Sequence, residues 1–332
     1  MVIIKILVLA GGKSPERDVS MVSASRIAKA LIEEGNSVLV VDLAEGVNSL
    51  DDAEFSNDAE QISQYIVPEE APDIESMPDE FGNNIIECCK SADVVYLALH
   101  GSVGENGKLQ ALLDINNISY TGSGFEGCAL AMNKHISKLL AKSVGVKTAD
   151  WSVNKKNADI SYPCVVKPSG CGSSVGVSMV NNDDECETAI KEASVYDDCV
   201  LVEEKIEGRE FSVGILNGRA LPVIEIETKS GFYDYKNKYQ PGLTAETCPA
   251  LLRSDIAIEM QNSALKMHNV LLLGYYSRID FMVSKSNEIY FLEANALPGM
   301  TPASLLPQEA RAAGIDYSRL CQQIALNPFN KK

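Results

Sequence analysis

Three short apolar runs in the first hundred residues constrain the fold of this chain most strongly. They cover residues 3–10, 37–42 and 93–100, and each is short enough for a strand buried on both faces. Helix-spaced apolar residues fill 20–32, between the first two runs. Because strands that alternate with helices are typical of a parallel sheet, we predict a small parallel α/β domain over residues 1–123.

The ends of these strands are the places where such a domain binds ligands. Gly11 and Gly12 follow the first strand, and His100 and Gly101 follow the third. Ligands on parallel sheets gather at the carboxyl ends of strands, so we expect His100 to line a cleft there. The sequence around Gly11 lacks a GxGxxG pattern, which argues against a dinucleotide-binding dehydrogenase.

Charge and composition exclude several classes of partner. The chain has 29 Lys and Arg against 46 Asp and Glu, a net charge of −17, so we expect neither a nucleic-acid nor a membrane partner. An acidic stretch over about 44–88 predicts a loop-rich insertion. The cysteines number nine and form no CxxC pair, which favours a reduced, cytoplasmic protein without a disulfide or zinc framework.

The second half of the chain is predicted to be less regular. Helices are expected near 126–144, 183–195 and 253–272. Strands are expected near 163–167, 176–180, 199–204, 210–216, 220–228, 277–283 and 288–293. A polar, tyrosine-rich loop over 231–248 is long enough to require a functional reason.

A glycine-rich loop follows the predicted strand that ends at Lys167. Its sequence, Ser169-Gly-Cys-Gly-Ser-Ser174, combines a permissive backbone with hydroxyl groups. Backbone N–H groups in such a loop can surround phosphate oxygens while the lysine supplies a positive charge. This loop contains no GK[ST] sequence ahead of a helix, so it is not a Walker A loop, and an ordinary hairpin loop is the alternative.

Two predicted strands near the C-terminus bring polar side chains to one face. Arg278 and Asp280 lie two residues apart on the first strand, and Glu293 and Asn295 lie two apart on the second. The predicted antiparallel register pairs Asp280 with Glu293, Arg278 with Asn295 and Val283 with Tyr290. Two carboxylates and an amide oxygen suit Mg²⁺, and a solvated polar sheet face is the alternative.

Further motifs follow in a fixed order along the chain. They are Gly11-Gly-Lys-Ser-Pro-Glu16, Leu99-His-Gly-Ser-Val-Gly-Glu105, Ala131-Met-Asn-Lys134, Phe232-Tyr-Asp-Tyr-Lys-Asn-Lys238-Tyr239 and Leu292-Glu-Ala-Asn-Ala-Leu-Pro-Gly-Met300. With the glycine loop and the polar strand pair, they resemble the D-alanine–D-alanine ligase family of the ATP-grasp superfamily, over about residues 4–328. The resemblance implies an α/β domain and then a two-part ATP-grasp fold, with a central lid domain at 124–212 and a C-terminal domain at 213–332.

The resemblance also implies roles for residues in a nucleotide site. The implied phosphate contacts are Lys134, Lys167, Ser173 and Ser174, of which Ser173 is also counted as catalytic. The implied adenine and ribose contacts are Glu203, Ile206 and Glu210. The implied ligands of two Mg²⁺ ions, for which Mn²⁺ is a possible substitute, are Asp280, Glu293 and Asn295.

Two amino-acid sites are implied in the same way. At the first site, Glu16 takes the ammonium of D-alanine and His100 lies close by. Arg278 and the backbone N–H of Gly299 stabilise the oxyanion of the reaction. The second pocket is implied to contain Lys238, Tyr239, Ser304 and Leu305, with Tyr239 also counted as catalytic.

The predicted activity is ATP-dependent ligation of two D-alanines through a D-alanyl phosphate, which supplies D-alanyl-D-alanine for peptidoglycan. A D-alanine–D-serine or D-alanine–D-lactate ligase is the alternative, and Lys238-Tyr239 favours D-alanine. A nucleotide-binding protein without ligase activity is a further alternative, but Glu16, Arg278 and the metal carboxylates are all present. The resemblance implies a cytoplasmic homodimer.

Overall fold

The first part of the chain forms the predicted parallel sheet. The computed structural model describes residues 3–14, 16–65, 81–172, 174–228 and 244–330. The first elements are β1 (Lys5–Ala10), α1 (Arg17–Glu33), β2 (Ser37–Asp42), α2 (Ile85–Lys90), β3 (Val94–Leu97), α3 (Ser102–Glu105) and α4 (Lys108–Ile115). The strand order is β2-β1-β3 with parallel pairing throughout, and residues 6–10 of the central strand are fully buried. The α/β prediction is therefore confirmed.

The middle of the chain adds two helices and an antiparallel sheet. Its elements are α5 (Phe125–Met132), α6 (Lys134–Ser143), β4 (Trp151–Val153), β5 (Cys164–Pro168), β6 (Ser178–Val180), α7 (Asp183–Ala193) and β7 (Val200–Glu204). The strand order is β4-β7-β5-β6, and α7 covers one face of β5 and β6. The apolar residues between α7 and this sheet form a small core of their own.

A larger, six-stranded antiparallel sheet occupies the last third. Its elements are β8 (Gly208–Leu216), β9 (Arg219–Ala220), β10 (Ile224–Thr228), β11 (Thr244–Thr247), α8 (Ser254–Val270), β12 (Tyr276–Ser284), β13 (Ile289–Asn295), α9 (Leu305–Ala312) and α10 (Tyr317–Leu326). The order is β11-β10-β8-β12-β13, with β9 paired to β8. Within the described residues, no helix is long and apolar enough to cross a membrane. The ends of the predicted domains at 123 and 212 stay predictions, and residue 212 lies within β8.

The helix predicted near 126–144 is two helices, and this part of the prediction is wrong. Asn133 interrupts it with extended backbone angles (φ −84°, ψ 98°), and its side chain accepts a hydrogen bond from the N–H of Ile136. An asparagine that caps a helix in this way satisfies one of the free N–H groups of its first turn. The break makes Lys134 the first residue of α6, which places its side chain beside the glycine loop.

The register of β12 and β13 is as predicted at the polar end and differs at the other. Arg278 pairs with Asn295 and Asp280 pairs with Glu293, whereas Val283 pairs with Ile289 instead of Tyr290. A one-residue bulge at Leu292 causes the shift. The bulge is needed because Phe291 and Ala294 are both buried although they are three residues apart, which a regular strand cannot achieve.

Candidate active site

A cavity of about 1010 Å³ lies between the four-stranded and the six-stranded sheet. It is large enough for a nucleotide, since small-molecule sites usually enclose roughly 300–1,000 Å³. Eight of the predicted site residues line it: Lys134, Lys167, Ser174, Glu203, Ile206, Glu210, Asp280 and Glu293. The fold thus brings together the six described residues that were predicted to bind nucleotide and two of the three predicted metal ligands.

The cavity also has an apolar part. Val165 of β5, Met282 of β12 and Leu292 of β13 line it together with Ile206. Leu292 faces the cavity because it is the bulged residue of β13. Apolar surface combined with polar groups is typical of small-molecule sites.

Glu203 joins two lysines in a buried ion cluster. Its Oε2 lies 3.0 Å from Nζ of Lys167, and its Oε1 lies 3.2 Å from Nζ of Lys138. The exposed fractions of the Lys138, Glu203 and Lys167 side chains are 1%, 4% and 8%. Burial raises the pKa of Glu203, but the two ammonium groups outweigh it, so that the pKa lies below its usual value.

Lys134 connects the glycine loop to Glu293, one of the predicted metal ligands. Its Nζ donates a hydrogen bond to the carbonyl of Cys171 at 2.7 Å and lies 3.2 Å from Oε2 of Glu293. Ser169 holds the start of the loop against α6, because its carbonyl accepts from the N–H of Lys134 and its hydroxyl accepts from the N–H of His135. The loop is therefore tied to the helix that carries Lys134.

Asp280 is held by four donors. Arg278 donates from Nε and Nη2 at 2.9 and 2.8 Å, the hydroxyl of Ser212 donates at 2.7 Å, and Nδ2 of Asn295 donates at 2.9 Å. The side chain is 5% exposed. The two-point contact with Asp280 fixes the plane of the Arg278 guanidinium at the edge of the cavity.

The donor types at this position fit a divalent cation. Asp280 and Glu293 are cross-strand neighbours and both line the cavity. Within the described residues no cluster of three or more His, Cys, Asp and Glu side chains could hold a metal, so the predicted set consists of two carboxylates and the Asn295 amide. A half-turn of that amide places its oxygen beside Oδ2 of Asp280, which creates a pair of hard oxygen ligands of the kind Mg²⁺ prefers.

A second group of predicted residues lies at the carboxyl ends of the parallel strands. Glu16 and His100 are buried, and a Cβ atom on Gly101 would lie 3.1 Å from Oε2 of Glu16. Glu105 accepts a hydrogen bond from the N–H of Gly101 at 2.7 Å. Burial and the neighbouring carboxylate of Glu16 raise the pKa of Glu105 to about 8, while Arg278 opposes this shift. The first amino-acid site predicted from the sequence is therefore adjacent to Arg278.

The remaining described residues lie at the start of α9. A Cβ atom on Gly299 would lie 3.0 Å from Oγ of Ser304, so the predicted oxyanion donor and this serine are neighbours. Leu305 is buried and packs with Ile224 and Ile226. Ser173, Lys238 and Tyr239, which were also predicted as site residues, lie outside the described residues.

Sequence reasoning missed two site residues. Lys138 lies one helical turn after Lys134, so the spacing of the two lysines was the signal for a shared face. Glu105 was quoted only as part of a motif, although its position five residues after His100 brings it to the same strand end. Neither signal reveals the partner, because Glu203 and Glu16 are distant in the sequence.

The two halves of the chain match two family models. Residues 5–123 match the model described as D-ala D-ala ligase N-terminus, and residues 133–325 match D-ala D-ala ligase C-terminus. The chain belongs to the D-alanine–D-alanine ligase family. The D-alanine--D-alanine ligases of Pediococcus pentosaceus and Lacticaseibacillus casei are 43% and 42% identical to it, over 97% and 96% of this chain and 97% and 94% of theirs.

Solved structures of the family have the same ATP-grasp architecture. The D-alanine--D-alanine ligase from Bacillus anthracis complexed with ATP has a TM-score of 0.77 at 29% identity, over 99% of this chain and 98% of that one. The VanG D-Ala:D-Ser ligase from Enterococcus faecalis also has a TM-score of 0.77, at 26% identity, over 97% and 98%. The fold is thus shared by ligases with different second substrates, and the higher sequence identities belong to family members named for D-alanine.

Proposed function

We propose that this protein is an ATP-dependent ligase that joins two D-alanine molecules through a D-alanyl phosphate. The observation that carries this proposal is the cavity that Lys134, Lys167, Asp280 and Glu293 line together. Such a site suits a nucleotide whose phosphates are neutralised by lysines and by bound cations together. Family membership and the ATP complex of the Bacillus anthracis ligase support ATP as the co-substrate.

The chemistry explains why ATP is consumed. A carboxylate is a poor acyl donor, so an oxygen of the first D-alanine attacks the γ-phosphorus of ATP, and the bond from that phosphorus to ADP breaks. The neutral amine of the second D-alanine then attacks the acyl carbon. The bond between that carbon and the phosphate oxygen breaks, inorganic phosphate leaves, and the amine loses a proton to give the peptide.

Arg278 and the N–H of Gly299 are proposed to stabilise the negative charge on the acyl oxygen. A planar cation fixed by Asp280 suits this task, because it needs no reorganisation when the charge develops. Glu16 and His100 are proposed to hold the first D-alanine. Ser304 and Leu305, with Lys238, Tyr239 and Ser173, complete the proposed second pocket and catalytic set.

We propose that Asp280, Glu293 and Asn295 hold two Mg²⁺ ions, or Mn²⁺ in their place. When bound, such ions neutralise the phosphates of ATP during phosphoryl transfer. Lys134 already lies against Glu293, so it is placed to contact a phosphate near the same carboxylate. A cytoplasmic location is proposed because the reaction draws on ATP, and a homodimer is proposed from the family.

The test is phosphate release from ATP with D-alanine, D-serine or D-lactate as the second substrate, with the mass of each product measured. We expect D-alanyl-D-alanine as the main product and one phosphate released per dipeptide. A main product containing D-serine or D-lactate would support the alternative ligases. ATP binding without phosphate release on any of the three would contradict a ligase function.

A further inference from the structure

The ion cluster around Glu203 contains one residue that the proposed reaction does not use. Lys138 lies on α6 behind Glu203, and its side chain is 1% exposed. Lys167 and Glu203 line the cavity, whereas Lys138 is not among its described lining residues. An ammonium group buried this deeply is costly unless it is paired, and its described ion-pair partner is Glu203.

The charge of the cluster depends on Lys138. Two ammonium groups and one carboxylate leave one net positive charge next to the cavity. Without Lys138, Glu203 and Lys167 would neutralise each other, and a buried pair with no net charge attracts phosphate weakly. The orientation of the Glu203 carboxylate depends on Lys138 as well. Lys138 pairs with its Oε1, so that its Oε2 faces Lys167.

We propose that Lys138 is a positioning residue of the nucleotide site, which holds Glu203 in place so that Lys167 points toward the phosphates of ATP with its positive charge uncancelled. This inference rests on the proposed function, because it takes the ligand of the cavity to be ATP. It also assigns Glu203 as the counter-ion of two lysines, which differs from the adenine and ribose contact implied by the family resemblance.

Trp151 provides a fluorescent reporter for this site, and Lys142 beside it provides a matched control. It pairs with Glu203 across β4 and β7, and it is the only tryptophan in the chain. Nζ of Lys138 lies 5.1 Å from the centre of the indole ring and Nζ of Lys142 lies 4.6 Å from it. Lys142 is half-exposed and pairs with Asp150 at 3.0 Å, so it shares the tryptophan but not Glu203.

The experiment compares Lys138→Met with Lys142→Met in the full-length protein. ATP with Mg²⁺ is titrated while the fluorescence of Trp151 is followed, and KM for ATP, KM for D-alanine and kcat are measured. We expect Lys138→Met to weaken ATP binding by about 10- to 100-fold, because the net positive charge next to the cavity is lost, with kcat and KM for D-alanine changed less than about threefold. Lys142→Met should bind ATP within about twofold of wild type.

Lys138→Arg should recover most of the ATP affinity, because it restores the charge. If Lys138→Met does not fold, Lys138→Gln replaces it, since glutamine keeps a donor for Glu203 and removes only the charge. Equal ATP affinity in the Lys138 and Lys142 variants would overturn the inference. So would a fall in kcat that is accompanied by a rise in both KM values and a lowered Tm. Wild-type protein that fails to bind ATP or to ligate D-alanine would instead contradict the proposed function.

Discussion

The two sides of the cavity carry ion pairs of different net charge. On the central wall, which consists of Lys167 and Glu203, the Glu203 carboxylate pairs with two ammonium groups, those of Lys167 and of Lys138 behind it. On the carboxylate wall, which consists of Asp280 and Glu293, two carboxylates meet one guanidinium and the ammonium of Lys134. The first arrangement has one net positive charge and suits an anion, whereas the second has no net charge and presents carboxylate oxygens that a cation can bind. A nucleotide with its metal ions is therefore complementary to both walls at once.

A buried ionisable side chain lies behind each wall, and the two differ in their partners. Behind the central wall, Lys138 is paired with a carboxylate. Behind the carboxylate wall, Glu309 is fully buried; its Oε1 accepts from the N–H of Gly214 at 2.8 Å, and its Oε2 has no hydrogen-bond partner in the described part of the chain. The paired group is suited to carry charge, whereas the half-satisfied carboxyl is suited to stay neutral.

The largest expected effect comes from Arg278, which contacts Asp280 of the carboxylate wall and is proposed to act on the reacting carbon. Arg278→Ala should lower kcat by about 10²–10³-fold, the usual loss for one oxyanion donor, with ATP affinity nearly unchanged. Arg278→Lys should recover only part, because an ammonium cannot reproduce the planar two-point contact with Asp280. Phosphate release and Trp151 fluorescence are measured in parallel, and a collapse of ATP binding in step with kcat would refute the oxyanion role.

The cation preference of the carboxylate wall is tested at Glu293. Glu293→Gln should raise the Mg²⁺ concentration for half-maximal activity by about tenfold or more, because a charged oxygen ligand is lost. Glu288→Gln is the matched control, since Glu288 directly precedes the same strand but pairs with Lys147 at the exposed surface. Identical Mg²⁺ curves for the two variants would show that Glu293 is not a metal ligand.

The polar end of the β12–β13 pair could be predicted from the sequence because its residues alternate with buried ones. Asp280 and Glu293 oppose each other as expected, but the pairing of Val283 was wrong because of the bulge at Leu292. The bulge was detectable in principle, since the apolar pattern changes parity between Phe291 and Ala294.

The contacts between distant elements could not be predicted in this way. Lys138 and Glu203 are 65 residues apart and meet only because β7 lies next to the helix that begins at Lys134. Likewise, Glu309 reaches Gly214 from α9, at the point where β8 continues beyond its pairing with β10. Local periodicity gives the face on which a side chain lies, whereas a buried charge pair depends on how whole elements pack.

The neutral state expected for Glu309 gives a stability prediction. Burial raises its pKa to about 8 from an ordinary 4.5, so between these values the folded protein binds a proton that the unfolded chain has lost. Stability should therefore fall as pH rises through this window, by at most about 1.4 kcal/mol per pH unit from this group. Glu309→Gln keeps an acceptor for Gly214 and should flatten that slope in urea unfolding at pH 6 and 8; an unchanged slope would show that Glu309 is charged.

The smallest expected effect is a change of ATP affinity with pH, caused by the titration of Lys138 behind the central wall. Burial lowers the pKa of Lys138 to about 8, Glu203 opposes this shift and Lys167 adds to it. Below that pH the cluster carries its net positive charge, and above it Lys138 becomes neutral and the charge disappears. ATP affinity should therefore weaken severalfold as pH rises from about 7.5 to 9, where the phosphates are already ionised.

Lys138→Arg separates this titration from others nearby, because arginine stays charged over the whole range. Lys142 also acts on Lys138, and it pairs with Asp150 at the surface; both residues are unchanged in this variant. Affinity from Trp151 fluorescence should therefore be nearly flat with pH in Lys138→Arg and should fall in wild type. If both proteins lose affinity equally, another group sets the charge of the central wall, and the contrast between the two walls does not depend on Lys138.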